Sequence, residues 1–525
     1  MTATTHRWST RGLAALAGLV AGGLTLGVGE LVAAAVDPPA APFLAVGNTF
    51  VDLTPEWLKS FAIRTFGEDD KLVLLIGMGA VLAAASMAGG LLELWRRRAG
   101  VGLLALLGAV AIAAALNRPG AQAGYVLPAL LGVVAGAATL TLLVGRLRRT
   151  DVDPAMASTP DELDAAADAR LRRRQFVVLT VAAAGLAVLT AAGGRRFGSS
   201  LQEVREARDA LRLPAPADPV PAVPDAVSLD VDGITEFRTP NAGFYRVDTA
   251  LDVPKVDPAG WRLRIHGMVE REVDLGFDDV LGLDLVERMI TLTCVSNEVG
   301  GELAGNAVWL GYPLADLLAL AGPARDADML LSTSVDGFTA STPLDVLTDG
   351  RDAILAIGMN GEPLPLEHGF PARLVVPGLY GYVSATKWVT DLEVTRFDRA
   401  TAYWTDRGWA DRAPIKTASR IDVPGSFADL PSGRNVVAGV AWAQHRGVRT
   451  VEVRVDDGDW QRAELAAEAS IDTWRQWFWE WDAEPGNHTL RVRATDGTGD
   501  LQTDEQAPPF PDGSSGWHSV VVRVS

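Results

Sequence analysis

The sequence predicts a chain in three parts: an all-α membrane part with five spans, an α+β domain, and a C-terminal antiparallel β-sandwich. Three observations carry this. Five apolar runs fall within the first 192 positions. Between residues 230 and 412, short strand and helix patterns mix without regular strand–helix–strand spacing. Beyond Pro414 the chain alternates apolar and polar residues between Asp-Gly turns. The expected boundaries are 1–194 for the membrane part, 195–229 for a linker, 230–412 for the mixed domain and 413–525 for the last.

The runs are 13–36, 72–94, 101–116, 124–144 and 176–192, against a need for about 20 helical residues to cross a bilayer core. The third is short. Gly and Ala are abundant in all five, which permits close helix contact. Basic residues set the expected orientation. Arg7 and Arg11 precede the first run, Arg96 to Arg98 separate the second from the third, and Arg146, Arg148 and Arg149 follow the fourth. Arg170 to Arg174 precede the fifth. Asp52, Glu56, Glu68, Asp69 and Asp70 lie between the first two. A cytoplasmic N-terminus satisfies this pattern, with the C-terminal parts on the extracytoplasmic side of the cell membrane; Arg195 and Arg196 run against it. Glu30 and Glu93 sit near run ends, and no paired His marks a haem site, so anchoring in the lipid bilayer is the expected role.

Residues 151–168 read as a polar loop with a short helix, and 201–213 as helical. The five prolines of 214–224 read as a semi-rigid spacer. Further on, 261–266, 329–334, 353–357 and 373–376 read as strands, and 313–321 as a helix. In the last part the expected strands are 436–442, 450–455, 489–494 and 517–524. Trp474, Trp477, Trp479 and Trp481 alternate in part and read as core or interface. Hydrophobic residues make up 48% of the chain and net charge is −18; the acidic balance argues against nucleic acid as a partner.

The single cysteine, Cys294, ends the β-rich run 289–292 and opens a loop through Ser296, Asn297, Gly300 and Gly301. With one Cys no intrachain disulfide forms. A thiolate at a strand edge suits a soft or high-valent metal, while a lone Cys is also an ordinary buried apolar residue. One thiolate cannot hold a metal unaided, so other ligands would have to come from a cofactor.

Thr291-Leu292-Thr293-Cys294-Val295-Ser296-Asn297, the block 305–314, Met359-Asn360-Gly361-Glu362-Pro363-Leu364-Pro365 and the block 368–378 resemble, in order, the sulfite oxidase family of molybdenum enzymes. The resemblance covers about residues 236–525. It implies an α+β molybdopterin-binding domain of sulfite oxidase type, an immunoglobulin-like dimerisation domain after it, and hence a homodimer. It also implies molybdenum-molybdopterin as cofactor, with Cys294 as metal ligand. Phe244, Tyr245, Asn297, His368, Arg373, Ser384 and Lys387 would then bind the cofactor, with Thr386 beside them. A pterin phosphate is a dianion, for which Arg offers a planar fork and Lys a point charge. Arg173-Arg174-Gln175-Phe176 resembles a twin-arginine export signal, although a positive-inside flank explains the same residues.

Two departures from the resemblance stand out. Sulfite oxidases carry Arg followed by Asn-His in the segment resembling 239–248, where this chain has Arg246-Val247-Asp248. Phe338 stands where they have an active-site Tyr. Leu379-Tyr380-Gly381-Tyr382 resembles the Tyr-Gly-Phe of the periplasmic methionine sulfoxide reductase branch, so Tyr380 or Tyr382 is the candidate phenol. Tyr380 and Arg246 are expected on the substrate side. The expected function is a membrane-anchored molybdenum oxidoreductase moving an oxygen atom and two electrons at a small sulfur substrate. Sulfite oxidation to sulfate is the first reading and sulfoxide reduction the second; a separate cytochrome or quinone-linked carrier exchanges the electrons. A non-catalytic tethered scaffold is the alternative of a different class.

Overall fold

The computed structural model describes residues 2–66, 70–118, 121–148, 160–197 and 201–525. Glu68, Asp69, Arg149 and residues 151–159 of the expected loop lie outside the described residues. The chain divides into two compact units, Met1–Glu203 with Thr249–Asp252, and Val204–Asp248 with Val253–Ser525.

In the first unit five helices are long and apolar enough to cross a membrane: Thr10–Val36, Lys71–Trp95, Ala99–Leu116, Ala123–Leu147 and Arg174–Gly193. The short third run is therefore a full 18-residue helix. The helix beginning at Thr2 packs against three of the others. Small residues allow this approach: a Cβ on Gly18 would sit 2.0 Å from the Ser86 carbonyl oxygen, and one on Gly90 1.9 Å from that of Ala14. Large apolar side chains such as Ile76, Val81, Val181 and Leu189 point outward and are exposed, the pattern of helices apolar all round. Glu93 is buried and accepts the backbone N–H groups of Arg98 at 2.9 Å and Gly100 at 3.2 Å. It thus caps the next helix, whose first amides have no intrahelical partner. Phe176, the aromatic of the twin-arginine resemblance, packs in the helical core with Ala14, Ala17 and Leu140. Residues 160–168 do not form a separate short helix. They start a continuous helix, Pro160–Phe197, because Pro at its start and the Ala- and Arg-rich stretch behind it favour helix without a break.

The second unit begins at Val204, within the helix Leu201–Ala210, which stops short of Leu213. The proline-rich stretch is not a free spacer. Ala217 N–H donates to the Leu285 carbonyl at 2.7 Å and Glu287 N–H to that of Asp218 at 2.9 Å. Extended proline-rich backbone leaves its polar groups unpaired, and the chain at the start of the strand Val286–Thr293 supplies an acceptor at Leu285 and a donor at Glu287.

That strand pairs with Ala304–Pro313, which pairs with Ile354–Met359; Arg373–Val375 joins the far side of the last. A second sheet runs Val273–Gly276, Arg262–Gly267, Val389–Thr395, Met329–Ser334, Thr339–Pro343. Only Arg262–Gly267 and Val389–Thr395 pair in parallel within it. With the helices Phe277–Leu281 and Leu314–Ala321, the region is α+β.

The C-terminal region is two sheets. One is Ala418–Val423, Gly433–Trp442, Arg475–Ala483, Glu464–Leu465; the other is Asp429–Leu430, His518–Val524, Gly486–Asp496, Val448–Val455, Gln461–Arg462. Val437, Trp477 and Trp481 from the first share a core with Val451, Val492 and Val522 from the second. Trp477, Trp479 and Trp481 thus lie on a strand of their own, with Trp474 just before it, and residues 477 and 481 face the core, each such side chain contributing roughly 2–3 kcal/mol by burial.

Candidate active site

Cys294 is the first residue past its strand. Its N–H donates to the Leu303 carbonyl at 2.9 Å, and its carbonyl accepts from Asn297 N–H at 3.1 Å, closing a turn. The Asn297 side chain fastens the same loop: Oδ1 accepts from Leu303 N–H at 2.8 Å. Asn297 is therefore a loop fastener through its oxygen. Behind the loop, Thr291 Oγ1 donates to Asn306 Oδ1 at 3.0 Å, and Gln444 Nε2 donates to the Thr291 carbonyl and Thr293 Oγ1, each at 3.0 Å. The strand end carrying the thiol is thus fixed from two directions. Cys294 itself is buried. Burial pushes its thiol up, opposed by hydrogen bonds from Ser296 and by the charge of Lys387.

Aromatic rings form one wall. Phe244 stacks on Tyr245 with centroids 5.2 Å apart and meets Trp309 edge-on at 5.7 Å and His368 at 5.5 Å. Gly305 makes room, since a Cβ there would lie 2.7 Å from the Phe244 ring. Tyr245 is held protonated, raised by burial and by the nearby Cys294, with Arg373 acting the other way. It therefore lies within electrostatic reach of both the sulfur and the guanidinium.

Arg373 is buried, and its guanidinium lies 5.1 Å from the Trp309 centroid. Its closest acceptors are main-chain carbonyls, His368 at 3.1 Å and Ala385 at 3.4 Å. Among the described residues no carboxylate pairs with it. Burial lowers it to about 10, the signature of a cation short of a counter-charge. His368 donates from Nε2 to the Asn241 carbonyl at 3.1 Å, because a carbonyl can only accept. Burial, then Arg373 and Lys387, lower it to about 4, so it is neutral near pH 7. Gly369, at φ +113°, lets the His368 turn lie against Lys387, whose Cα would be 3.2 Å from a Cβ there.

Lys387 donates to Asp248 Oδ2 at 2.7 Å and to the Glu367 carbonyl at 3.1 Å. Burial lowers it to about 8 against the pull of Asp248. Arg246 Nε donates to the same Asp248 oxygen at 2.8 Å. Arg246 therefore belongs to the Lys387 cluster. Tyr380 lies instead beside Thr293 and Asn297 in a cleft with Ser514 and Gly516. Burial pushes its phenol up to about 12, with the Cys294 charge contributing. Tyr382 donates its hydroxyl to the Ala410 carbonyl at 2.6 Å and anchors a loop.

Ser384 and Thr386 depart from expectation. The Ser384 hydroxyl is fully buried and donates within its own turn to the Leu379 and Tyr380 carbonyls, at 3.2 and 3.0 Å. The Thr386 hydroxyl bonds to Ser332 Oγ at 2.7 Å. The Ser384 proton is thus engaged within its own turn, and Thr386 shares a buried hydrogen bond with Ser332 in which either hydroxyl can donate. Phe338 packs on Tyr403 with centroids 5.8 Å apart. Asp248, Trp309, Gln444 and Ser296 received no site role from the sequence; the signal for Asp248 was an acidic residue two positions from Arg246 in an extended segment.

Among the described residues no three His, Cys, Asp or Glu side chains cluster to hold a metal ion, so a metal at Cys294 would take its other ligands from a bound group. A soft sulfur, a buried guanidinium lacking a counter-charge and a second buried cation fit a group that carries both a metal and a phosphate.

A family model described as "Oxidoreductase molybdopterin binding domain" matches residues 250–404. The mitochondrial sulfite oxidase of Mus musculus is 31% identical over 342 residues, covering 55% of this chain and 62% of that protein. The chain thus spans about three-fifths of the length of that relative. The "Uncharacterized oxidoreductase YuiH" of Bacillus subtilis is 33% identical over 159 residues, covering 30% of this chain and 77% of that one. The crystal structure of the sulfane dehydrogenase SoxCD from Paracoccus pantotrophus is similar at 24% identity and TM-score 0.49, covering 56% of this chain and 84% of that one, a likeness too low to carry an argument.

Proposed function

The chain belongs to the sulfite oxidase family of molybdopterin-dependent oxidoreductases, and on that premise we propose that it moves an oxygen atom and two electrons at a small sulfur substrate. The observation that supports this most is the convergence of the buried Cys294, Tyr245 and Arg373, where the guanidinium has no carboxylate partner among the described residues. When bound, the molybdenum–pterin group supplies two-electron redox chemistry and oxygen-atom exchange.

The chain's own residues would do the rest. Cys294 offers its sulfur to the metal, and a bound cation overrides the burial that keeps the thiol protonated. Arg373 and Lys387 would hold the pterin phosphate, while His368, neutral, fixes the turn between them through its bond to Asn241. Phe244 and Trp309 exclude water from that side. Tyr245 and Tyr380, both protonated, are the phenols able to donate a hydrogen bond near the sulfur.

Sulfite oxidation is the reading the relatives' names suggest. Reduction of a sulfoxide is the second, favoured by Phe338, which offers no hydroxyl, and by the pairing of Arg246 with Asp248. Sulfite-dependent reduction of ferricyanide, set against sulfoxide-dependent oxidation of reduced viologen, separates them. Absence of both in molybdenum-loaded protein sinks the proposal and leaves the tethered scaffold.

The five apolar helices support anchoring in the cell membrane, with the second unit on the extracytoplasmic side and Arg173-Arg174 as an uncleaved twin-arginine signal. A separate cytochrome or quinone-linked carrier would exchange the electrons. The two-sheet C-terminal region supports an immunoglobulin-like domain that pairs two copies.

A further inference from the structure

We infer that the connection between the first two apolar helices is itself a lipid-contacting surface. Its two helices, Pro42–Leu53 and Glu56–Phe66, lie in the interfacial layer of the leaflet where the first span ends. Their exposed apolar side chains meet the glycerol and upper acyl region of the lipid. The inference rests on the proposed anchoring and adds a contact that none of the five spans makes.

Depth is the first argument. The first span ends at Val36, the second begins at Lys71, the third ends at Leu116 and the fourth begins at Ala123. Consecutive spans alternate in direction, so these four ends share one face of the bundle. The connecting segment is tied to that level twice. Asp37, the residue after Val36, accepts the hydroxyl of Tyr125 at the start of the fourth span. Asp52, in the last turn of Pro42–Leu53, pairs with Arg118, two residues beyond Leu116, at 3.2 Å. The helix is also seated on the span ends by packing. Ala45 is fully buried and shares a cluster with Ala114, Ala115 and Tyr125, and a Cβ on Gly47 would lie 3.4 Å from the Met78 sulfur. Pro42–Leu53 therefore runs at the depth where hydrocarbon gives way to headgroups.

Exposure is the second argument. A segment of this kind in water carries polar side chains outward. Here Leu53, the neighbour of Asp52, is 78% exposed, Phe50 and Phe61 are half exposed, and Phe66 is exposed too. Large apolar side chains left outside mark a surface that another phase or molecule covers. The ion pair at Asp52 selects lipid, because Leu53 is one residue from a side chain held at a span end. Helices satisfy their own backbone polar groups, so the pair can enter that layer without a hydrogen-bond penalty. The acidic residues that make the stretch read as an aqueous loop are used at the span ends, at Asp37 and Asp52.

The test uses the full chain in nanodiscs of phosphatidylethanolamine and phosphatidylglycerol. Nitroxide labels are placed on Leu53→Cys and Phe61→Cys. Val181→Cys, exposed within the fifth span, and the exposed Asp457→Cys are the controls. The native Cys294 is buried, and unlabelled wild type carried through the same reaction supplies the blank. Leu53 and Phe61 lie on the outside, so these labels displace no core packing. Electron paramagnetic resonance then compares collision with molecular oxygen, which concentrates in lipid, against collision with a water-soluble nickel chelate. The expected result is nickel access at 53 and 61 lower than at 457 by at least about threefold, with oxygen access kept high as at 181. Nickel access at either position equal to that at 457 overturns the inference and makes the segment an aqueous loop. Shielding of either position from both probes overturns it as well, since protein then covers the surface. Nickel access at 181 brings down the anchoring itself, a separate outcome.

Discussion

Gln444 Nε2 lies 3.0 Å from the Thr293 hydroxyl, one residue before Cys294 in the chain. The same amide nitrogen donates to the Thr291 carbonyl. A residue from the C-terminal region, about 150 positions away, thus steadies the strand end on which the thiol sits. The prediction is that Gln444→Leu costs about 1–3 kcal/mol, because buried acceptors lose their donor. Denaturant melts of the full chain check it, and molybdenum retention should fall with stability.

Gly305→Ala tests the aromatic wall. The added Cβ would lie 2.7 Å from the Phe244 ring, and with Tyr245, Trp309 and His368 packed around it that ring has nowhere to go. The expected cost is about 1–3 kcal/mol, with weaker cofactor retention than a surface Gly→Ala change such as Gly425→Ala, where nothing lies within 4 Å.

The buried His368 should make stability fall in mild acid. Its folded value is about 4 against the usual 6.5. Between those values the unfolded chain takes up a proton that the folded chain refuses, so stability is full above about pH 6.5 and declines toward pH 4. The loss is up to about 3 kcal/mol from this group. Comparing melts of wild type and His368→Gln across that window isolates it: the pH dependence should be shallower in the variant.

Much of this was legible in the sequence because it rests on local signals. The five apolar runs are helices, and Cys294 leaves its strand where Ser296 and Asn297 mark a turn. The strand at 475–483 was half-read, since tryptophan spacing alone does not say whether a run is core or surface. The proline-rich stretch misled because composition reports stiffness, whereas its pairing with residues 285–287 depends on a partner 70 positions away. Ser384 misled for a related reason: whether a hydroxyl faces a pocket or its own turn is decided by packing. Asp248 was visible only as a departure, and its two cationic partners emerge only in three dimensions.

Sidedness has a direct check. The sole cysteine is buried, so a cysteine introduced at the exposed Asp457 gives a nearly clean background. Membrane-impermeant maleimide should label Asp457→Cys in intact cells. Labelling only after lysis contradicts the proposed orientation.

The measurement closest to the centre is molybdenum content per chain, by elemental analysis of protein matured with an intact cofactor pathway. Wild type should carry the metal in stoichiometric amount, and Cys294→Ser should carry markedly less while remaining folded. Metal-free wild type, or equal metal in both proteins, would contradict the assignment of that sulfur as its ligand.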